Sequence, residues 1–534
     1  MVCSTGHFSI IPSSYLQKDI TGDTHCSLLS VTDSFIMKHM IGIDIGTTHC
    51  KAVSISVEGK LLFEEKLAYS STGKLNEQNE QDPDSILDSV LELLQKIIKA
   101  DKHETLLGIS LSAAMHGLMV IDKKGKPLTP VFTWADSRSK NYAAELLQNP
   151  SAVEIYQNTG VPVHPMSPLC KIIWLRNEMP LIFQQAYKFI SIKEYFFYKL
   201  FGEFIVDYSM ASATGLFNIH ELSWYEKALI IAGIKSDQLS KPVSPQHFET
   251  GLKDEYQKLL GISNNIPFFI GGSDGCLAQL GCGAINTGEA SLTIGTSGAI
   301  RILTTNSETD KRSRLFCYAL SDKHWVAGGA INNGGIVLKW FAENVLQRSL
   351  QSAAELEWFS STAQMSPAGS GGLIFLPYIL GERSPMWDPD ARGVFFGLQA
   401  VHHQHHMMRA VMEGISYAMY DVMIALEETY GRIETIYATG GFIQSAFWLQ
   451  MLADILNKNI IVHDYADASA AGACFFAMYA MGTMNDFRKI KDFIPEGKIF
   501  YPDNETHELY RGYFSIFLSL YPKLKEDFKR LNSL

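Results

Sequence analysis

Short apolar runs rich in Val, Ile and Leu recur along the chain, alternating with stretches in which apolar residues return every three or four positions. The runs at 42–45, 53–57, 106–111, 267–270 and 460–463 have the length and composition of strands, whereas the stretches between them have helical period. Alternation of this kind predicts an α/β chain. One helix is clearly marked: Asp82-Pro83 supplies a capping acid and a first-turn proline, and Ile86, Leu87, Val90, Leu91, Leu94, Ile97 and Ile98 follow at helical spacing. That stripe should pack on a sheet. No uncharged apolar run approaches the roughly 18 to 20 residues of a membrane helix, so no membrane partner is expected.

The pattern also repeats. Ile41-Gly-Ile-Asp-Ile-Gly-Thr-Thr48 is echoed by Leu292-Thr-Ile-Gly-Thr-Ser-Gly298, each a strand, a Gly-Thr turn and a second strand. A duplicated chain is predicted, with a boundary near residue 286: a 37–285 domain and a 286–534 domain around a central cleft, where ligands favour binding. Residues 1–36 carry scattered charges without a basic segment followed by an apolar block, and read as a weakly ordered extension rather than a secretory signal. Length and composition agree with two domains, since 534 residues exceed one core and 46 % apolar residues can fill two. With 45 Lys+Arg against 56 Asp+Glu the net charge is −11, which argues against nucleic acid as a partner. Eight cysteines without a C-x-x-C pair fit a reducing cytoplasm.

Three places carry candidate chemistry. In Asp44-Ile-Gly-Thr-Thr48, glycine lets the backbone approach a ligand, and successive N–H groups and hydroxyls can hold phosphate oxygens. Lys51 can reach the same phosphates, and an aspartate at a strand end suits Mg²⁺, usually through water. Gly295-Thr-Ser-Gly298 supplies a second such turn, and two facing one cleft suit a nucleoside triphosphate. Ala438-Thr-Gly-Gly-Phe442, followed by a helix over 445–456, offers bare backbone to a flat ring. His402-His-Gln-His-His406 is not expected to bind metal, because adjacent histidines on a helix point in different directions. Cys276 and Cys282 read as packed thiols; Met407, Met408, Met412 and Met419 read as core filling.

These signals, in this order and on two similar halves, resemble the actin/hexokinase/heat-shock-protein ATPase fold, with two ribonuclease H-like domains. Over about residues 41–479 the chain more closely resembles the FGGY family of carbohydrate kinases. Glu80-Gln-Asp-Pro83, Met115-His-Gly117, Gly271-Gly-Ser-Asp-Gly275, Gly381-Glu-Arg-Ser-Pro385 and Asp388-Pro-Asp-Ala-Arg-Gly393 add to the match. Within the family, Thr133-Trp-Ala-Asp-Ser-Arg138 and His164-Pro-Met-Ser-Pro168, followed by Lys171 and Trp174-Leu175, look most like gluconate kinases.

The resemblance implies transfer of the ATP γ-phosphoryl group to a sugar hydroxyl. Asp274 would be the general base and Asp44 the Mg²⁺ residue, with Thr47, Thr48, Lys51 and Thr296 around the β- and γ-phosphates. Gly335, Gly441 and Ser445 match nucleoside-contacting positions, Ser445 being equally suited to cap a helix. Met115 and His116 match a sugar-contacting pair, and Trp134, Asp136, Arg138, Lys171 and Asp207 are further substrate candidates. For a small-molecule sugar acid, Arg138 would offer a bidentate fork to the carboxylate and Lys171 a point charge. Arg383 and Arg392 are expected to stabilise a lid or interface, or to sit in structural ion pairs. The alternatives are a kinase for a neutral sugar such as xylulose or a polyol and, in another class, an actin-like chaperone or filament protein. Whether the chain forms a homodimer is left open.

Overall fold

Strand β1 (Lys38–Ile45) is buried on both faces, with only Lys38 exposed, and Met40, Ile41, Ile43 and Ile45 supply its apolar side chains. It runs between β2 (His49–Ser56), its antiparallel hairpin partner, and β4 (Thr105–Ala113), which lies parallel to it. Strand β3 (Leu61–Ala68) closes one edge and carries exposed charges, as edge strands do. With β5 (Phe248–Glu249) and β6 (Phe268–Ser273) these strands form a six-stranded sheet of order β5-β6-β4-β1-β2-β3. The computed structural model describes residues 37–69, 78–100 and 105–533, and the extension expected over 1–36 lies outside them.

The echoed segment builds the same frame. Strands β7 (Glu289–Ile294) and β8 (Gly298–Thr304) form a hairpin, joined by β9 (Phe316–Ala319), β10 (Trp325–Ile331), β11 (Thr435–Thr439), β12 (Asn459–Val462) and β13 (Lys498–Phe500). The order is β9-β10-β8-β7-β11-β12-β13, with β11 parallel to β7 as β4 is to β1. Each sheet therefore presents one Gly-Thr hairpin turn at the end of its central strand.

Helices cover both sheets. Helix α1 (Pro83–Ala100) starts where the Asp82-Pro83 signal places it and buries Ile86, Leu87, Val90, Leu91, Leu94 and Ile97. The two lobes meet through α2 (Asp274–Gly281) and a helix later in the chain, Ala468–Ala480. That contact needs glycine: a Cβ on Gly472 would stand 1.9 Å from the Leu277 carbonyl oxygen, and one on Gly42 would stand 2.0 Å from that of Ala470. Met408, Met412 and Met419 fill the core along the helix Gln404–Tyr430, and Met407 packs at its edge. Among the described residues Cys50, Cys170, Cys276, Cys282, Cys317 and Cys474 are buried and unpaired, and no helix is long and apolar enough to cross a membrane.

Candidate active site

Both Gly-Thr turns reach the cleft. The first is closed by the Gly46 amide donating to the His49 carbonyl (3.1 Å), and Gln81 of the Glu80-Gln-Asp-Pro83 segment steadies it by donating Nε2 to the Thr47 carbonyl (2.6 Å). Thr47 is half-buried and Thr48 exposed, so both hydroxyls can meet a ligand. In the second turn Thr296 is exposed, and Gly335 docks onto it by donating its amide to the Gly295 carbonyl (2.7 Å). A Cβ on Gly334 would lie 2.6 Å from the Ser297 backbone, which explains the paired glycines there. Gly441 is exposed, and a Cβ added to it would meet nothing within 4 Å, so one side of this backbone lies open.

Three carboxylates gather beside the first turn. Asp44 ends β1 opposite Lys51 and beside Ser112, a register that lets the Ser112 hydroxyl donate to its Oδ1 (2.7 Å). Burial, and then the charges of Asp467 and Asp274, push the Asp44 carboxyl up to about 7. Asp274 is the first residue of α2; its Oδ1 accepts from the Gly275 amide (2.8 Å). Burial raises its carboxyl above the ordinary range, while the Arg301 guanidinium and the Gly275 and Met115 amides oppose that rise. Lys51 crosses the lobes to pair with Asp467 (2.5 Å). Among the described residues no three His, Cys, Asp or Glu side chains lie close enough to ligate one ion directly. A strongly hydrated ion that keeps its waters and takes further oxygens from a phosphate fits such a donor set.

Asp467 and Arg301 are absent from the sequence reading. The signal for Asp467 was an acid capping the helix Ala468–Ala480, where it accepts from the Ala470 amide (3.2 Å). For Arg301 it was a single cation inside the otherwise apolar strand β8.

On the other side of the cleft, a cavity of about 620 Å³ is lined by Trp134, Asp136 and His164 from one half and by Thr296, Asn332 and Arg383 from the other. Met115 packs where α2 begins, its Cε 2.9 Å from a Cβ built on Gly275. His116 adopts φ +65°, a left-handed conformation that side chains other than glycine rarely take, and such strain gathers at functional sites. Burial first, then Lys171, push its imidazole down to about 3, so it is neutral. Its Nδ1 bonds the Ala213 carbonyl (2.7 Å) and its Nε2 meets the Tyr318 hydroxyl (3.2 Å). A sugar hydroxyl can bond this ring only by displacing Tyr318.

Five sequence-predicted ligands are instead engaged by the protein itself. Lys171, expected to offer a free charge, donates to the carbonyls of His116 (2.7 Å), Thr133 (2.7 Å) and Met166 (2.8 Å), which use all three of its hydrogens. Arg138 forks onto Asp136 (3.1 and 2.7 Å), bonds Glu80 (2.6 Å) and is flanked by the Phe132 and Trp174 rings. That bond to Arg138, and the Asn79 amide (3.1 Å), occupy Asp136 in turn. Asp207 is fully buried, pairs with Lys193 (2.5 Å) and caps a short helix through the Ser209 and Met210 amides. Ser445 is also fully buried; it caps the helix Ala446–Leu456 by accepting from the Trp448 amide (3.2 Å) and donates to Ser360 (2.7 Å), so it presents nothing to a nucleoside. Among the described residues Arg383 sits in no ion pair: its NH2 donates to the Ile331 carbonyl (3.0 Å) and its Nε has no partner.

Two sheets of matching topology, each bringing a glycine hairpin to a cleft that also holds carboxylates, make this an actin- and hexokinase-like phosphotransferase fold. The chain belongs to the FGGY family of carbohydrate kinases, whose N-terminal domain matches residues 39–281 and whose C-terminal domain matches residues 290–481. It is 42 % identical to the gluconokinase of Bacillus subtilis (strain 168) over 499 residues, covering 92 % of this chain and 97 % of that protein. Two solved structures from Lactobacillus acidophilus, a gluconate kinase and a ligand-bound xylulose kinase, each superpose with a TM-score of 0.88. Each is 35 % identical, over 93 % of this chain and all of theirs. Kinases of this family use ATP.

Proposed function

We propose that the protein phosphorylates the terminal hydroxyl of gluconate with MgATP. Asp274 takes the hydroxyl proton as the oxygen bonds to the γ-phosphorus, and the bond to the β,γ-bridging oxygen breaks, releasing ADP. Thr47, Thr48, Lys51 and Thr296 surround the phosphates, and Gly335 and Gly441 leave room for the nucleoside. Asp44, with Asp467 beside it, would hold magnesium through its water shell; the ion would supply charge neutralisation for the phosphates. Residues 37–285 carry most of the sugar and phosphate contacts, and 286–534 the nucleotide contacts together with one wall of the sugar cavity. Unpaired buried cysteines suit a reducing cytoplasm.

The observation that carries this reading is the convergence of Asp44, Asp274 and Asp467 beside the first Gly-Thr turn, in a chain 42 % identical to a gluconokinase. ATP consumption with gluconate, xylulose and glycerol at equal concentration is the test. Gluconate is expected to be used best by at least tenfold. Equal use of xylulose would favour a neutral-ketose kinase, the reading supported by the xylulose kinase neighbour.

The acid limb of kcat/KM should report the base. Asp274 works deprotonated, so activity falls as pH drops through its pKa, which burial sets above the usual carboxylate range and Arg301 holds down. Removing that positive charge must raise the pKa further. Arg301→Met is therefore expected to move the acid limb to higher pH, and an unmoved limb would separate Arg301 from the base.

A further inference from the structure

Burying a guanidinium without a carboxylate partner is costly, and a protein tolerates it where a ligand completes the site. Arg383 is such a group. It is 7 % exposed, its guanidinium makes a single hydrogen bond among the described residues, and its Nε has no partner there. Its sequence neighbour Glu382 does not neutralise it by contact: that carboxylate accepts from the Asn332 amide (2.5 Å), the Arg383 amide (2.8 Å) and the Asn333 side chain (3.0 Å).

The surroundings leave that charge in excess. The guanidinium lies over the Trp134 ring (5.0 Å to its centre), and both residues line the 620 Å³ cavity. His164 on the same wall is neutral, pushed down to about 3 by burial and then by Arg383 itself. Glu382 offsets part of the charge through space, and Arg301 adds a second positive charge nearby. The other charged groups of the cavity, Asp136, Lys140, Asp390 and Arg392, all have partners within the protein. Of the cations the sequence offers first, Lys171 has spent all three of its donors, and Arg138 is already neutralised by Asp136 and Glu80.

We propose that Arg383 reads the substrate's carboxylate, its free N–H groups bonding the anion while the Trp134 ring flanks the carbon chain. This rests on the reading of the substrate as a sugar acid. It accounts for the cavity's surplus of positive charge, and gives a neutral ketose no means of satisfying the same guanidinium.

The test compares kcat/KM for gluconate and for xylulose, at saturating MgATP, in wild type, Arg383→Gln and Arg383→Lys. The ratio of gluconate to xylulose is expected to fall on the order of 10²-fold in Arg383→Gln, mainly through KM for gluconate. Lysine keeps the charge but not the fork, so Arg383→Lys should recover part of that ratio. A ratio unchanged in Arg383→Gln overturns the proposal while leaving gluconate as the substrate of the wild type. A wild type that turns over xylulose but not gluconate overturns the sugar-acid reading, and Arg383's role with it. If the glutamine variant does not fold, the lysine variant carries the test: a ratio equal to wild type overturns the assignment, and a fall of roughly tenfold at an unchanged unfolding midpoint supports it.

Discussion

Asp274→Asn is expected to lower turnover on the order of 10² to 10⁴-fold while nucleotide binding persists. The amide keeps the size of the carboxylate and can still accept from the Gly275 amide that fixes the side chain at the start of α2. It cannot take a proton from a hydroxyl. Asp44, Thr47 and Thr296 are untouched, so the affinity for ATP should change little, and the loss should fall on kcat. Single-turnover phosphoryl transfer with nucleotide titration separates the two. Near-normal turnover would remove Asp274 from the reaction, whatever the protein phosphorylates.

The largest expected stability effect lies at a residue no motif marks. Lys193→Met should destabilise the protein by about 3 to 5 kcal/mol, because it strands the Asp207 carboxylate in the interior. Both side chains are almost fully buried, at 1 % and 0 % exposure, and Lys193 also donates to the Gly272 carbonyl (2.8 Å) just before the catalytic segment. Thermal unfolding with and without MgATP measures the loss. Asp207 was a substrate candidate from sequence, and this variant tests the structural role that replaces it. If Asp207 contacts sugar, the surviving folded protein will show a raised KM; if it is a buried anchor, KM will stay and the unfolding midpoint will drop.

The elements near the active site were legible because they answer local requirements. A strand that ends in Asp-Ile-Gly-Thr-Thr must turn at its glycine, and the same logic applies at Gly295; the two turns and the paired sheets follow from spacing alone. The structure shows that Asp274 begins a helix, and it was legible through the family resemblance of Gly271-Gly-Ser-Asp-Gly275. Charged partners were not. Lys171 reads as a free cation until its three acceptors, spread over residues 116–166, close around it. Arg138 reads as a fork for a ligand until Glu80, 58 positions earlier, completes its network. Arg383 reads as a lid or interface residue, or a member of an ion pair, until its guanidinium proves to bond a backbone carbonyl and to leave its Nε without a partner.

The order of residues by itself thus determined the duplicated α/β frame and the two Gly-Thr turns, since backbone conformation and apolar periodicity depend on near neighbours; Asp274 came through the family resemblance. Only the folded molecule decided which cation stays unsatisfied for a substrate. A charge in the interior is held by whichever oxygens packing brings within about 3 Å, and those oxygens come from distant parts of the chain.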